Sequence, residues 1–167
     1  MTETAPSREK LESRARNVLL FQLSKGAKSK SQLRAILVKR EIPEDIFEPV
    51  LDRFEEAGLI DDAQFANVIV NSRRRYKGLS KSAIKRELST KGVAVEVIEE
   101  AISEITSEQE FETAKELAVK RLRTMSRLEP AVQDRRLSGY LARKGYGGGI
   151  VYAAIRYARE QAVKSEA

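Results

Sequence analysis

One apolar pattern occurs three times along this 167-residue chain, at an interval of about 50 residues, and it restricts the fold more than any single motif does. Leu33, Leu37, Ile42, Ile46, Phe47, Leu51 and Phe54 return 51 positions later as Ile84, Leu88, Val93, Val97, Ile98, Ile102 and Ile105. A further 53 positions on they return as Leu137, Leu141, Tyr146, Ile150, Val151, Ile155 and Ala158. The basic residue ahead of each turn recurs too, as Arg40, Lys91 and Lys144. Apolar residues within a copy follow i, i+3, i+4 spacing, as in Leu33, Ile36 and Leu37, the mark of an amphipathic helix. Each copy is therefore a helical unit, and the chain holds three.

A further helix precedes each copy: Ala15 to Lys25, Asp62 to Arg75 and Glu108 to Met125. Helix-start signals fit the same reading. Ser29 with Gln32, Asp61 with Gln64 and Ser107 with Glu110 are capping-box candidates, and Gly26, Gly58, Gly78, Gly92 and Gly145 each follow a periodic stretch. No segment has strand character, and nine glycines and four prolines are too few to punctuate a sandwich or barrel of short strands. The fold class is all-α: three tandem three-helix repeats. The expected boundaries are a polar tail at 1–12, repeats at 13–60, 61–106 and 107–163, and a tail at 164–167. Units this small bury little core alone, so neighbours are expected to stack into an elongated, curved array of undetermined hand. Pro49 falls inside the third helix of the first unit, where it removes an amide donor and crowds the carbonyl of Asp45; a kink or an irregular first half is expected there.

The chain has no cysteine and no histidine. This excludes disulfides, Cys/His zinc sites, thiolate-held iron–sulfur clusters, haem held by His or Cys, and Ser-His-Asp or Cys-His catalysis. No cofactor and no catalytic residue is expected. The first ten residues lack the apolar run of a secretory signal, and no apolar stretch approaches the ~20 residues of a membrane span; a cytoplasmic monomer without membrane contact is expected. The net charge of +6 is unevenly placed. Nine acidic residues face one basic residue between Glu41 and Asp62, whereas Arg73 to Lys91 holds eight basic residues against Glu87 alone. Between Lys115 and Arg159 eleven basic residues oppose three acidic ones. Such polarity presents separate acidic and basic faces, and a basic face concentrates polyanions.

Two other features invite chemistry and are better explained by structure. Asp61 and Asp62 are adjacent, so they do not face one another on a helix; an N-cap followed by a first-turn acid accounts for both. Gly145-Tyr146-Gly147-Gly148-Gly149 has the glycine content of a phosphate loop, but no strand precedes it and neither nucleotide-binding glycine motif is matched. It reads as a flexible turn between helices. Tyr140, Tyr146, Tyr152 and Tyr157 lie among the basic residues of the third unit, where tyrosines can stack on bases, although Tyr146 and Tyr157 fit better as packing residues.

The basic residues exceed what helix-end electrostatics requires. Candidates for contact with a polyanion or an acidic protein are Arg73, Arg74, Arg75, Lys77, Lys81, Lys85, Arg86 and Lys91 in the second unit, with Arg135, Arg136, Arg143 and Lys144 in the third. A helix-turn-helix reader of duplex DNA is the alternative, suggested by the turn at Lys91-Gly92-Val93-Ala94. The helix that follows carries Glu96, Glu99 and Glu100, where a major-groove reader needs Arg, Asn or Gln. A third possibility is a helical-repeat adaptor for an unrelated protein, with no affinity for nucleic acid.

Gly58-Leu59-Ile60-Asp61-Asp62 running into Phe65-Ala66, then Arg73 to Gly78, then Ile84 to Val93, resemble the bacterial RecX family in order and spacing. The similarity spans about residues 13 to 160 and includes the threefold helical repetition; Pro49 and the glycines at 147–149 depart from it. The resemblance implies a non-enzymatic protein that binds the helical RecA–single-stranded DNA filament in its groove, inhibits ATP hydrolysis and strand exchange, and favours filament loss. Any binding to bare single- or double-stranded DNA is then expected to be weak and non-specific.

Overall fold

The computed structural model describes residues 4–167. Nine α-helices and one π-helical turn account for the regular structure, with no strand among the described residues. In chain order these are α1 (Arg8–Lys25), α2 (Lys30–Lys39), α3 (Glu44–Glu56), α4 (Asp62–Ser72), the π-turn (Arg73–Lys77), α5 (Lys81–Thr90), α6 (Val95–Ile102), α7 (Ser107–Arg123), α8 (Pro130–Arg143) and α9 (Gly148–Glu166). The helices group in threes, and most of the recurring apolar positions are buried: Leu33, Leu37 and Leu51, then Ile84, Leu88 and Ile98, then Leu137 and Leu141. None of the described helices is long and apolar enough to cross a membrane.

The chain divides into two compact units. The first comprises the chain up to Val68 together with Leu88–Ile98; the second comprises Ile69–Glu87 and Glu99–Ala167. In the first, α1 and α2 pack on α3 around Leu19, Leu33, Leu37, Phe47, Leu51 and Ile60. In the second, α7 packs extensively on α9 because the facing positions are small: Ala114 and Ala118, with Ala154 and Ala158, are all buried. Short side chains let two helix backbones approach closely, and Leu137, Leu141 and Tyr146 fill the rest.

Each unit contains the same joint. In the first, Ser29 Oγ donates to the Lys91 carbonyl at 2.6 Å, and the Lys30 amide donates to Asp62 Oδ1 at 2.8 Å. In the second, 51 residues on, the Ser80 amide donates to the Lys144 carbonyl at 2.9 Å, and the Lys81 amide donates to Glu110 Oε2 at 3.0 Å. A first-turn carboxylate thus satisfies the orphan amide of another helix. The turn at the joint carries Gly92 at φ 78° or Gly145 at φ 97°. A Cβ on Gly92 would overlap the Ser31 side chain, and one on Gly145 would come within 2.7 Å of Ala83 Cβ. Only glycine satisfies both the left-handed backbone and the close approach. The equivalent position in the first repeat is Glu41, left-handed at φ 60° and exposed.

Local capping follows the sequence reading at Ser29, whose hydroxyl accepts from Gln32 N while Gln32 returns the bond, each at 3.1 Å. Asp61 accepts from the Gln64 amide at 3.1 Å. The third box is corrected: Thr106 pairs with Gln109, one residue ahead of Ser107 and Glu110. This shift leaves Glu110 free to reach Lys81. The first helix starts at Arg8 because Ser7 caps it, so residues 8–12 belong to helix rather than tail. Pro49 does not break α3. The Asp45 carbonyl that it deprives of a partner accepts instead from Arg8 Nη2 at 3.5 Å, and the Arg8 guanidinium also lies 3.7 Å from the Asp45 carboxylate. Gly148 and Gly149 are the first turn of α9, capped by Gly147, where a flexible turn was expected.

The acidic run does not form a free face. Six of its nine carboxylates have partners within the first unit: Asp45 with Arg8, Glu48 with Arg34, Asp52 and Glu55 with Lys30, and Asp61 and Asp62 with helix amides. The ion pairs among them hold α3 to α1 and α2.

Candidate functional site

The basic segment of the second unit begins where α4 widens into the π-turn Arg73–Lys77, closed by Gly78. Five residues in a π-turn sweep a wider circle than α-helical ones, and such turns concentrate at functional positions. Arg73 faces inward: its Nε donates to Glu87 at 2.7 and 2.9 Å. Arg74 is half-buried, while Arg75, Tyr76 and Lys77 are exposed. On α5, Lys81 is half-buried, and Lys85 and Arg86 are exposed. Lys85 Nζ lies 2.6 Å from Glu99 Oε1, and that bond holds the Glu99 carboxyl below its ordinary pKa. Lys91, half-buried, belongs to the first unit, where its carbonyl accepts from Ser29.

The turn after α8 locks onto the end of the π-turn and the glycine that closes it. Lys144 Nζ donates to the Lys77 carbonyl at 2.6 Å. The buried Tyr146 hydroxyl donates to the Gly78 carbonyl at 2.7 Å. Burial, then the Glu110 charge, push the Tyr146 phenol up to about 12, with Arg74 acting in the opposite sense. Lys144 also lies 5.5 Å from the centroid of the Tyr140 ring, and the Arg121 guanidinium lies 4.9 Å from it. The fold therefore gathers Arg74, Lys77 and Lys144 with Tyr140 and Arg121. Tyr140 and Lys144 are four apart on one helix face, a legible pairing; nothing in the spacing links Arg121 to them.

Arg135, Arg136 and Arg143 are exposed on α8 and have no carboxylate partner among the described residues. The neighbouring acid, Asp134, is taken by Arg159 at 2.6 Å. Of the twelve predicted contact residues, Arg73 and Lys85 are thus held in ion pairs and Lys144 in a backbone bond. Lys77, Arg135, Arg136 and Arg143 leave their side-chain charges to solvent, and the Arg75 guanidinium lies 5.6 Å from the centroid of the exposed Tyr76 ring. Such a surface attracts phosphates or an acidic protein face, and the ring of Tyr140 adds a flat apolar element close to two cations.

Comparisons with known proteins follow this architecture. Residues 61–102 match the family model described as RecX, second three-helix domain, and residues 108–155 match RecX, third three-helix domain. Regulatory protein RecX of Streptomyces coelicolor is 44% identical over 156 residues, covering 93% of this chain and 82% of the relative. That of Thermobifida fusca is 39% identical over 148 residues, covering 89% and 80%. The crystal structure of RecX from Lactobacillus salivarius shares the fold, with a TM-score of 0.77 at 22% identity over 90% of this chain and 98% of that one.

Proposed function

The chain belongs to the RecX family, and from that premise we propose that it is a regulator without enzymatic activity that binds the RecA filament on single-stranded DNA. In this reading it acts as a cytoplasmic monomer. It lies along the filament and inhibits ATP hydrolysis, strand exchange and coprotease activity, and so modulates recombination and the SOS response. The observation that supports it most is the group of exposed cations in the second unit without a carboxylate partner, Arg75, Lys77, Arg135, Arg136 and Arg143, together with Arg121 and Lys144 near the Tyr140 ring. Charges of this kind act through shape and electrostatics, with no bond made or broken. They speed encounter with an acidic surface and fix its orientation more than they deepen affinity.

The test is to add the chain to RecA assembled on single-stranded DNA and follow ATP hydrolysis. Inhibition at a chain concentration below that of RecA supports the proposal; unchanged hydrolysis at excess chain overturns it. Tight binding to one duplex sequence without any recombinase is the mark of the alternative, a helix-turn-helix-like DNA-binding transcriptional regulator. The exposed Glu96, Glu99 and Glu100 of α6 argue against that outcome, since they would meet DNA with like charge.

A further inference from the structure

The second and third helices of the first two repeats are tied at one recurring place, and the third repeat departs from the pattern there. In the first repeat Arg34 of α2 pairs with Glu48 of α3, and 51 residues on Lys85 of α5 pairs with Glu99 of α6. The corresponding residues of the third repeat are Ser138 and Tyr152, which have no charges to pair. An open groove of about 690 Å³ lies at this place between α8 and α9, and Ser138, Ala142, Val151, Tyr152 and Ile155 line it. Two carboxylates that also border it are already taken: Asp134 by Arg159 at 2.6 Å, and Glu160 by Arg156 at 3.5 Å. Tyr152 is 68% exposed. Beside the groove residues Ser138 and Ala142, Arg135, Gly139 and Arg143 follow one another four apart on a single face of α8, about 12 Å long at 1.5 Å rise per residue. Gly139 keeps that face low, because a Cβ there would come within 3.1 Å of Arg143 Nη1.

An aliphatic floor, an exposed tyrosine and a row of cations without carboxylate partners together define what would cover them. Tyrosine is favoured at protein interfaces because its ring buries apolar area while its hydroxyl finds a polar partner. Phosphates alone would engage Arg135 and Arg143 and leave Val151 and Ile155 without contact, and a base stacks on a flat ring rather than in an aliphatic groove. A protein segment with both apolar and acidic residues uses every part of the surface, as an amphipathic helix does when it lays its apolar face into a groove. We propose that the α8–α9 groove docks an acidic amphipathic segment, its apolar side chains against Val151, Tyr152 and Ile155 and its carboxylates on Arg135 and Arg143. Resting on the filament reading above, this assigns the contact at α8–α9 to the protein of the filament and not to its DNA.

Ser138→Lys with Tyr152→Glu copies the Lys85–Glu99 pair into the third repeat and fills the groove, while the net charge and the exposed arginines of α8 stay as they are. The concentration of this double variant that halves RecA ATP hydrolysis on single-stranded DNA is expected to rise about tenfold, with its far-ultraviolet helical signal unchanged. Separately, Tyr152→p-benzoylphenylalanine keeps an aromatic ring in the groove and, irradiated on the filament, is expected to crosslink to a RecA peptide rich in Asp and Glu. Equal inhibition by the folded double variant overturns the groove and leaves the filament reading standing. No inhibition by the wild type overturns that reading, and the groove with it. Crosslinking to the DNA strand or to a second copy of the chain, or no crosslink from a variant that still inhibits, overturns the groove alone. Should the double variant lose its helical signal, the crosslink decides by itself.

Discussion

Tyr146 shows how one side chain can hold a turn in place. It stands where the first two repeats have Ile42 and Val93, and it is the recurring position at which an apolar body ends in a hydroxyl. That hydroxyl reaches the Gly78 carbonyl. Tyr146→Phe keeps the ring and strands the acceptor, which should cost about 1–3 kcal/mol near neutral pH, read from urea unfolding midpoints. The phenol is pushed up from its ordinary 10.0 to about 12 in the folded chain. Between those values the folded state retains a proton that the unfolded state releases. The contribution of Tyr146 is therefore complete below pH 10 and declines as pH rises through about 12. Unfolding midpoints of the wild type and Tyr146→Phe should converge across that window; parallel profiles would show that the phenol has no linked role. Glu41 is the reverse case, a residue whose backbone is unfavourable for its side chain. Its left-handed conformation carries a steric cost of about 1–2 kcal/mol for an L-residue, part of which glycine would return as unfolded-state entropy. Glu41→Gly should raise stability by up to about 1 kcal/mol in thermal or urea unfolding.

At the scale of elements, the joint between Ser29–Ser31 and Lys91–Gly92 has its counterpart at Ser80–Ala83 and Lys144–Gly145. Alanine should therefore be tolerated at Glu41 and damaging at the other two turns. Gly92→Ala and Gly145→Ala each combine a left-handed alanine with a collision below van der Waals separation, and each should cost about 2–4 kcal/mol. Equal, small effects at all three turns would show that the joint contributes nothing to stability. The helices, their order and their buried positions were legible because burial repeats with the helical period: Leu33, Ile84 and Leu137 are all fully buried. The joint was less so. Ser29 was readable as a cap, but its second bond, to a carbonyl 62 residues away, depends on how helices pack. Pairing of charges was hidden for the same reason, although a regularity existed. Arg34–Glu48, Arg73–Glu87 and Lys85–Glu99 are each 14 residues apart across a turn. In each of these three pairs the carboxylate stands 14 residues after its cation.

For the whole molecule, the proposed function rests on which charges remain after folding has used the others. The sequence showed the basic excess of the second and third repeats, but not that Arg73 and Lys85 are committed internally, nor that Arg121 joins Tyr140. Reversing Arg73 or Lys85 would set a new carboxylate against Glu87 or Glu99, so loss of activity there would report on folding as much as on binding. Arg75, Lys77, Arg135, Arg136 and Arg143 are exposed and give the cleaner variant. Each alone should change inhibition little, since a rim charge contributes modestly, while reversal of all five removes attraction and adds repulsion. The decisive measurement is the concentration of chain that halves RecA ATP hydrolysis on single-stranded DNA at physiological salt, for the wild type and for the variant with all five changed to Glu. The expected result is a concentration at least about tenfold higher for the variant, with its far-ultraviolet helical signal unchanged. Equal inhibition by the folded variant would contradict the role given to these charges.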